Sequence, residues 1–266
     1  MLDYRVIVVL IFLGFAVAEL LAGRLLFRAE TTRKDLILEI GSGLFLPLVI
    51  VPAIMTGSAA ITEGVAAGSA GAWASWPVAA MFGILLLADD LTQYAWHRLS
   101  HSWPKLYLLH RAHHSAAYLS VRVVYRNNLI YYLLMPSLWL SGALLYLGFA
   151  PVYYVYYIAK MAVIIAAHSS VAWDAKLLRV AWLRPLMWVI VRVFSTPSTH
   201  AAHHGKHAAD GVTHYHGNYG NFLFVWDVLF KTAKISGERP REFGLEDIAP
   251  ATWQQELLWP FENRRG

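Results

Sequence analysis

Apolar stretches of membrane-spanning length, separated by charged loops, constrain this chain more than any other feature. A helix needs about 17–25 apolar residues to cross a bilayer, and in lipid only helices or closed barrels satisfy the backbone. Five such stretches can be read, at residues 6–22, 36–55, 73–91, 129–149 and 151–171. The second contains Pro47 and Pro52, which a helical bundle tolerates. The chain is 58% hydrophobic and 15% charged, whereas a soluble domain is nearer about 45–50% apolar and 25% charged. The expected fold is all-α: a multi-span transmembrane helical bundle of about five spans, capped by a helical, histidine-rich part outside the bilayer.

Charge placement orients the bundle. The first linker holds Arg24, Arg28, Arg33 and Lys34, whereas residues 56–72 hold no Lys or Arg. The third linker carries Arg98, Lys105, Arg111, Arg122 and Arg126, and the chain after Trp173 is basic as far as Arg265. This alternation puts the N-terminus outside and the C-terminus in the cytoplasm. Ala16-Val17-Ala18 resembles a signal cleavage site, but cleavage there would leave the uncharged linker inside, against the rule. The net charge of +5 needs no nucleic acid, because basic residues flanking spans meet anionic lipid heads. The absence of cysteine excludes disulfides, thiolate zinc sites and cysteine-held iron–sulfur clusters within the chain.

Three histidine clusters follow apolar stretches: His97 and His101; His110, His113 and His114; His200, His203 and His204. Residues three and four apart share a helix face, so each cluster aims two or three imidazoles at one point. Imidazole ligates iron, zinc and copper, and three such faces can hold two metal ions. Asp90, Tyr94, His97 and His101 share one stripe, and Asp90 is expected to orient a ligating imidazole through its second ring nitrogen. Asp89 is expected at the interface. His168, near the cytoplasmic end of the fifth stretch, is a further candidate ligand. Lys160, two turns deeper, is expected to snorkel or to touch a polar part of a substrate. His207, His214 and His216 follow in a loop-like stretch; His214 is carried as a candidate tenth ligand, the other two as exposed. Residues 177–194 mix arginine with tryptophan and suit an interfacial helix bent at Pro185. A helix start is expected at Pro197 with Ser198 or Thr199.

These residues together resemble the fatty acid hydroxylase and sterol desaturase superfamily of membrane histidine-box enzymes. The likeness rests on Asp90 with His97-Arg98 and His101, Tyr107 leading to the 110–115 box, His200-Ala201-Ala202-His203-His204, Gly217-Asn218-Tyr219-Gly220, Trp226-Asp227 and Leu229-Phe230. It covers roughly residues 85–235. The resemblance implies a non-haem di-iron oxygenase that hydroxylates or desaturates a lipid or sterol-like substrate with O2 and two electrons. It implies nine ligands: His97, His101, His110, His113, His114, His168, His200, His203 and His204. Asn218 and Asp227 are expected to support them from behind. Zinc can replace iron in a purified sample.

The separate donor expected is a ferredoxin, a cytochrome b5-like protein or a reductase. One integral membrane domain is expected over 1–266, with motif-free spans at 1–72, a catalytic region at 73–235 and a cytoplasmic tail at 236–266. The expected location is a bacterial inner membrane, with the boxes on the cytoplasmic side. Two other readings stay open: a membrane zinc hydrolase on histidine ligands, and a metal transporter. The transporter is disfavoured because every box lies at one face.

Overall fold

The computed structural model describes residues 3–26 and 30–262, so Arg28 and Arg265 lie outside the described residues. Eleven helices carry the fold and no strand forms among the described residues; isolated bridges join Phe194 to Leu223 and Gly205 to Phe243. The helices are α1 (Tyr4–Leu21), α2 (Arg33–Val65), α3 (Val78–Ser102), α4 (Pro104–His114), α5 (Pro136–Leu144), α6 (Ala150–His168), α7 (Trp173–Leu178), α8 (Arg184–Val193), α9 (Pro197–His204), α10 (Val225–Leu229) and α11 (Trp253–Leu258).

By length and composition four helical runs can cross a membrane: α1, α2, α3 and the run Pro136–His168. That last run is not one helix. Gly148 adopts φ 112°, which only glycine takes without strain, and there the chain breaks between α5 and α6. A Cβ on Gly148 would stand 2.8 Å from the Ala74 nitrogen, and Trp73 donates its N–H to the Leu147 carbonyl at 2.8 Å. The expected span at 129–149 is helical only from Pro136, because residues 129–135 form turns beside the histidines. Although adjacent in sequence, α5 and α6 pack mainly on other helices: α5 on α2 and α3, and α6 on α3 and α1.

The second span is also longer than its apolar run implies. α2 has 33 residues, about 50 Å at 1.5 Å per residue. Its far end absorbs the small-residue stretch after residue 57, which the sequence suggested as a linker. Those small residues let α5 come close, as in other membrane bundles. A Cβ on Gly142 would lie 2.6 Å from Ser58 Oγ, and one on Gly57 would lie 2.8 Å from the Trp139 ring. Pro47 sits in a π turn, Leu46–Ile50, which absorbs its missing N–H.

A second π turn, Leu86–Leu91, lies inside α3 and buries both Asp89 and Asp90. Asp89 is therefore enclosed by protein. Its Oδ2 takes Lys160 Nζ at 2.5 Å and the Tyr156 hydroxyl at 2.8 Å, so Lys160 is a buried ion-pair partner and does not snorkel. Between Val180 and Phe194, Pro185 starts α8 in its first turn and does not bend it. Trp182, Leu186 and Trp188 on this segment are exposed, and Arg192 lies over the Trp188 ring, as suits an interfacial helix.

The tail does not hang free. Buried Glu256 on α11 pairs with Lys34 on α2 at 2.9 Å and accepts from Ser115 at 2.7 Å. Asn128 donates to the Glu256 and Trp259 carbonyls at 3.1 and 2.9 Å.

Candidate metal centre

Four helices bring the histidines together at one end of the bundle. α3 carries His97 and His101 beyond Asp90. α4, started by Pro104, turns back and presents His110, His113 and His114. α6 ends on His168. α9 is started by Pro197, as expected, behind a Thr196–Thr199 capping box, and presents His200, His203 and His204. Asp174 on α7 accepts from the Ser198 N–H at 2.8 Å and its hydroxyl at 2.5 Å, fixing the start of α9.

The nine rings fall into two groups whose ligand atoms lie within 4.8 Å of one another. One is His97, His101, His110, His114 and His203; the other is His113, His168, His200 and His204. The groups adjoin, with the His114 and His204 rings stacked at 4.3 Å. His101 is the only member that is not fully buried.

Hydrogen bonds decide which nitrogen faces inward. Nδ1 of His97 meets the Tyr219 carbonyl at 2.7 Å, that of His203 the Gly217 carbonyl at 2.7 Å, and that of His113 the Arg126 carbonyl at 3.1 Å. Nδ1 of His168 meets the Ile164 carbonyl at 2.8 Å, and that of His110 meets Asn127 Oδ1 at 2.9 Å. A carbonyl oxygen only accepts, so each Nδ1 carries the proton and each Nε2 presents a lone pair. Yet Nε2 of His97 and His203 lie 3.0 Å apart, and Nε2 of His113 and His168 lie 3.4 Å apart. Neither partner in these pairs has a proton to donate. Two facing lone pairs repel unless a cation sits between them. A proton is disfavoured: burial first, then neighbouring imidazoles, holds His113 and His203 well below the ordinary histidine range.

A metal ion fits. With metal–imidazole bonds near 2.1 Å, neighbouring donor nitrogens on one ion would stand about 3.0–3.4 Å apart; His97 and His203 are so spaced at 3.0 Å in one group, and His168–His200 and His200–His204 at 2.9 and 3.1 Å in the other. The donors are all neutral nitrogen, a set that suits iron, copper, nickel and zinc. His200 Nδ1 and His101 Nε2 are buried without a hydrogen-bond partner.

The 217–220 turn is built for this clamp. Asp227 accepts from the Tyr219 N–H at 2.9 Å, the Gly220 N–H at 2.6 Å and the Thr232 hydroxyl at 2.6 Å. Asn218, at φ 55°, donates to the Thr199 and Lys234 carbonyls at 2.8 and 2.9 Å. The carbonyls on either side of Asn218 are thereby aimed at His203 and His97. Asp90 contributes differently from the sequence expectation. It touches no histidine; its Oδ2 accepts from Trp226 Nε1 at 2.7 Å and docks this segment on α3.

His214 stands outside both groups, half-buried, its Nε2 3.2 Å from the Thr232 carbonyl. His207 lies on the surface between Glu242 and Glu246. His216 packs on Tyr215 at the rim of a cavity of about 320 Å³, whose inner wall is His101 and His114 and whose outer wall includes Tyr107, Lys206 and Glu246. Sequence reasoning missed the residues that hold the rings from behind, chiefly Arg126 and Asn127. Their one sequence signal is a polar run, Arg126-Asn127-Asn128, abutting an apolar stretch.

Residues 82–232, carrying all nine histidines, match the family model described as Fatty acid hydroxylase. The chain belongs to the fatty acid hydroxylase family. Ornithine lipid hydroxylase OlsE of Rhizobium tropici is 31% identical over 191 residues, covering 71% of this chain and 53% of the relative. The chain thus spans about half the length of the curated relative it matches. No solved structure matches the chain. Of the family's matched segment, α3, α4, α6 and α9 supply every clustered imidazole, whereas α1 and α2 lie outside it.

Proposed function

We propose that this chain is a membrane-bound di-iron oxygenase that hydroxylates a lipid. The reading rests chiefly on the two pairs of inward-facing imidazole lone pairs, one in each group, which call for a cation at each. Family membership and the name of the relative supply the substrate class, and ornithine lipids are the first substrates to test. Two bound irons would supply redox activation of O2, so that a C–H bond becomes C–OH while the second oxygen leaves as water, with two electrons and two protons from a donor.

The chain's own residues set the conditions for that chemistry. The nine histidines, with no carboxylate in either group, hold two cations without neutralising them. Burial of the rings keeps bulk water from the centre. The apolar walls of α3, α5 and α6 take the hydrocarbon part of the substrate from the bilayer. The cavity beside His101 and His114 gives the centre its opening on the water side. We place that side in the cytoplasm of a bacterial inner membrane, where a separate ferredoxin-like or cytochrome-like donor delivers electrons.

The test uses the full chain in detergent, loaded with Fe(II) and given a ferredoxin–reductase couple, ornithine lipids and total lipid extract under 18O2. Expected is a lipid gaining one labelled oxygen, with O2 uptake above the enzyme-free control. Loss of two hydrogens would mark desaturation instead. No O2 uptake with any extract, or turnover that persists without O2, would overturn the oxygenase and favour a zinc hydrolase. His113→Ala should lower bound iron, whereas His214→Ala should leave it unchanged.

A further inference from the structure

Four of the five Nδ1 clamps are backbone carbonyls, which no substitution of the clamping residue removes. The fifth is a side chain, Asn127. We infer that Asn127 is a positioning residue: its amide oxygen fixes the tautomer of His110, so that Nε2 turns a lone pair into the five-histidine group. The inference rests on the two-metal reading above.

The geometry is a relay of three groups. Asn127 is 3% exposed. Its Nδ2 donates to the Tyr132 hydroxyl at 2.9 Å, and its Oδ1 faces His110 Nδ1 at 2.9 Å. With the amide reversed, an N–H would point at Nδ1 and the proton of His110 would have to sit on Nε2, directed at His114 Nε2 only 3.2 Å away. A ring protonated there cannot ligate. The Tyr132 hydroxyl, able to donate or to accept, anchors the amide without choosing its sense; the acceptor Oδ1 facing Nδ1 holds the proton there, and the proton's position makes His110 a donor to metal.

The backbone around Asn127 is anchored without its side chain. Arg126 is fully buried; it donates to the Ala112 carbonyl at 2.7 Å and to Asp35 at 2.6 Å. Asn128 donates to the tail. Replacing the Asn127 amide should thus leave the loop in place and change only what His110 meets. Groups that orient a metal-bound imidazole typically account for about 10–100-fold in metal affinity.

The test compares wild type, Asn127→Leu, Asn127→Asp and Tyr132→Phe as full chains in detergent, titrated with Co(II) and followed by d–d absorption and chelator competition. Wild type is expected to bind two Co(II) ions. Asn127→Leu should weaken one binding step about 10–100-fold, alter the spectrum of that step alone and leave the other intact. Asn127→Asp, which restores an acceptor oxygen, should recover both affinity and spectrum. Tyr132→Phe removes one of the two partners that anchor the amide and should weaken the same step by a smaller factor; it also carries the test if Asn127→Leu does not fold. Both steps unchanged in Asn127→Leu, or in Tyr132→Phe where Asn127→Leu fails to fold, would overturn the role of Asn127 while leaving the metal centre standing. No Co(II) bound by wild type would overturn the two-metal reading, and Asn127 with it.

Discussion

Replacing Lys160 with methionine tests whether the intramembrane ion pair ties α3 to α6. The Lys160 ammonium lies 2.5 Å from Asp89 Oδ2, with side-chain exposures of 7% and 5%. Removing one partner of such a pair leaves the other charge buried, at a typical cost of about 3–5 kcal/mol. Asp89 would keep the Tyr156 hydroxyl at 2.8 Å, and a hydrogen bond to a charged group is worth about 1.5–3 kcal/mol. The expected loss for Lys160→Met is therefore at the low end, about 3 kcal/mol, or roughly a hundredfold in the unfolding equilibrium. Asp89→Asn alone should also destabilise, because it strands the ammonium. The double variant removes both charges, keeps the volumes and should recover about 2 kcal/mol or more over the sum of the singles. Reversible unfolding in mixed detergent micelles, followed by tryptophan fluorescence, gives all three values. Lys160 precedes His168 by eight residues, about 12 Å along the helix, so bound metal per folded protein should not change. A Lys160→Met protein within about 0.5 kcal/mol of wild type, or a double variant no better than the two singles added, would refute the pairing as a source of stability.

Two further outcomes follow from the cluster. Burial holds His110, His113, His114, His200, His203 and His204 well below the ordinary histidine range. Their folded pKa values lie below the unfolded value near 6.5, so below that pH the unfolded chain binds protons that the folded chain refuses. Each ring then removes up to about 1.4 kcal/mol of stability per pH unit. The metal-free protein should unfold steeply as pH falls from about 6.5 towards 5.5, and the loaded protein should hold to lower pH because ions bind only the folded form; circular dichroism across this range checks both, and a flat metal-free profile would count against neutral burial. In Gly217→Ala, the new Cβ would collide with the His214 ring and the Thr232 carbonyl, shifting the Gly217 carbonyl off His203; expected is a loss of at least about tenfold in the affinity of one metal, read by chelator competition.

Eight of the nine clustered rings were legible because spacing of three and four commits histidines to one helix face before any tertiary fold is known. His168 joined them through depth alone, at the end of a span. What could not be read is what stands behind each ring. Tyr219, Gly217, Arg126 and Ile164 act through carbonyl oxygens, and a carbonyl has no sequence signature. His214 illustrates the converse: it has the right residue type, three positions before the Gly217 clamp, yet the turn aims its ring at Thr232. Asp90 was expected to orient an imidazole; it is buried and partnered, but by Trp226, which lies 136 residues away and beyond any local pattern. The span lengths were misjudged for a related reason. The glycines and serines after residue 57 lower local hydropathy, while their function is close contact with α5, a property of the partner helix and not of the segment.

The acids show how the histidine cluster is kept rigid with no carboxylate among its rings. No Asp or Glu enters either histidine group, yet buried acids lie one step behind the clamps. Asp227 fixes the N–H groups of Tyr219 and Gly220, and so the carbonyls that hold His97 and His203. Asp35 holds the Arg126 guanidinium at 2.6 Å, and the Arg126 carbonyl holds His113. Glu19, fully buried on α1, accepts from Ser120 at 2.6 Å and from the Ser170 N–H at 2.7 Å, bracing the loop before Arg126 and the turn after His168. A carboxylate placed among the rings would neutralise part of the cation charge; the same carboxylate bonded to backbone N–H groups or to a guanidinium orients a neutral carbonyl dipole instead. The first helix, which carries none of the histidines and lies outside the matched family segment, thereby joins the site through one glutamate. Its removal should loosen His113 and His168 together, because both depend on segments that Glu19 pins.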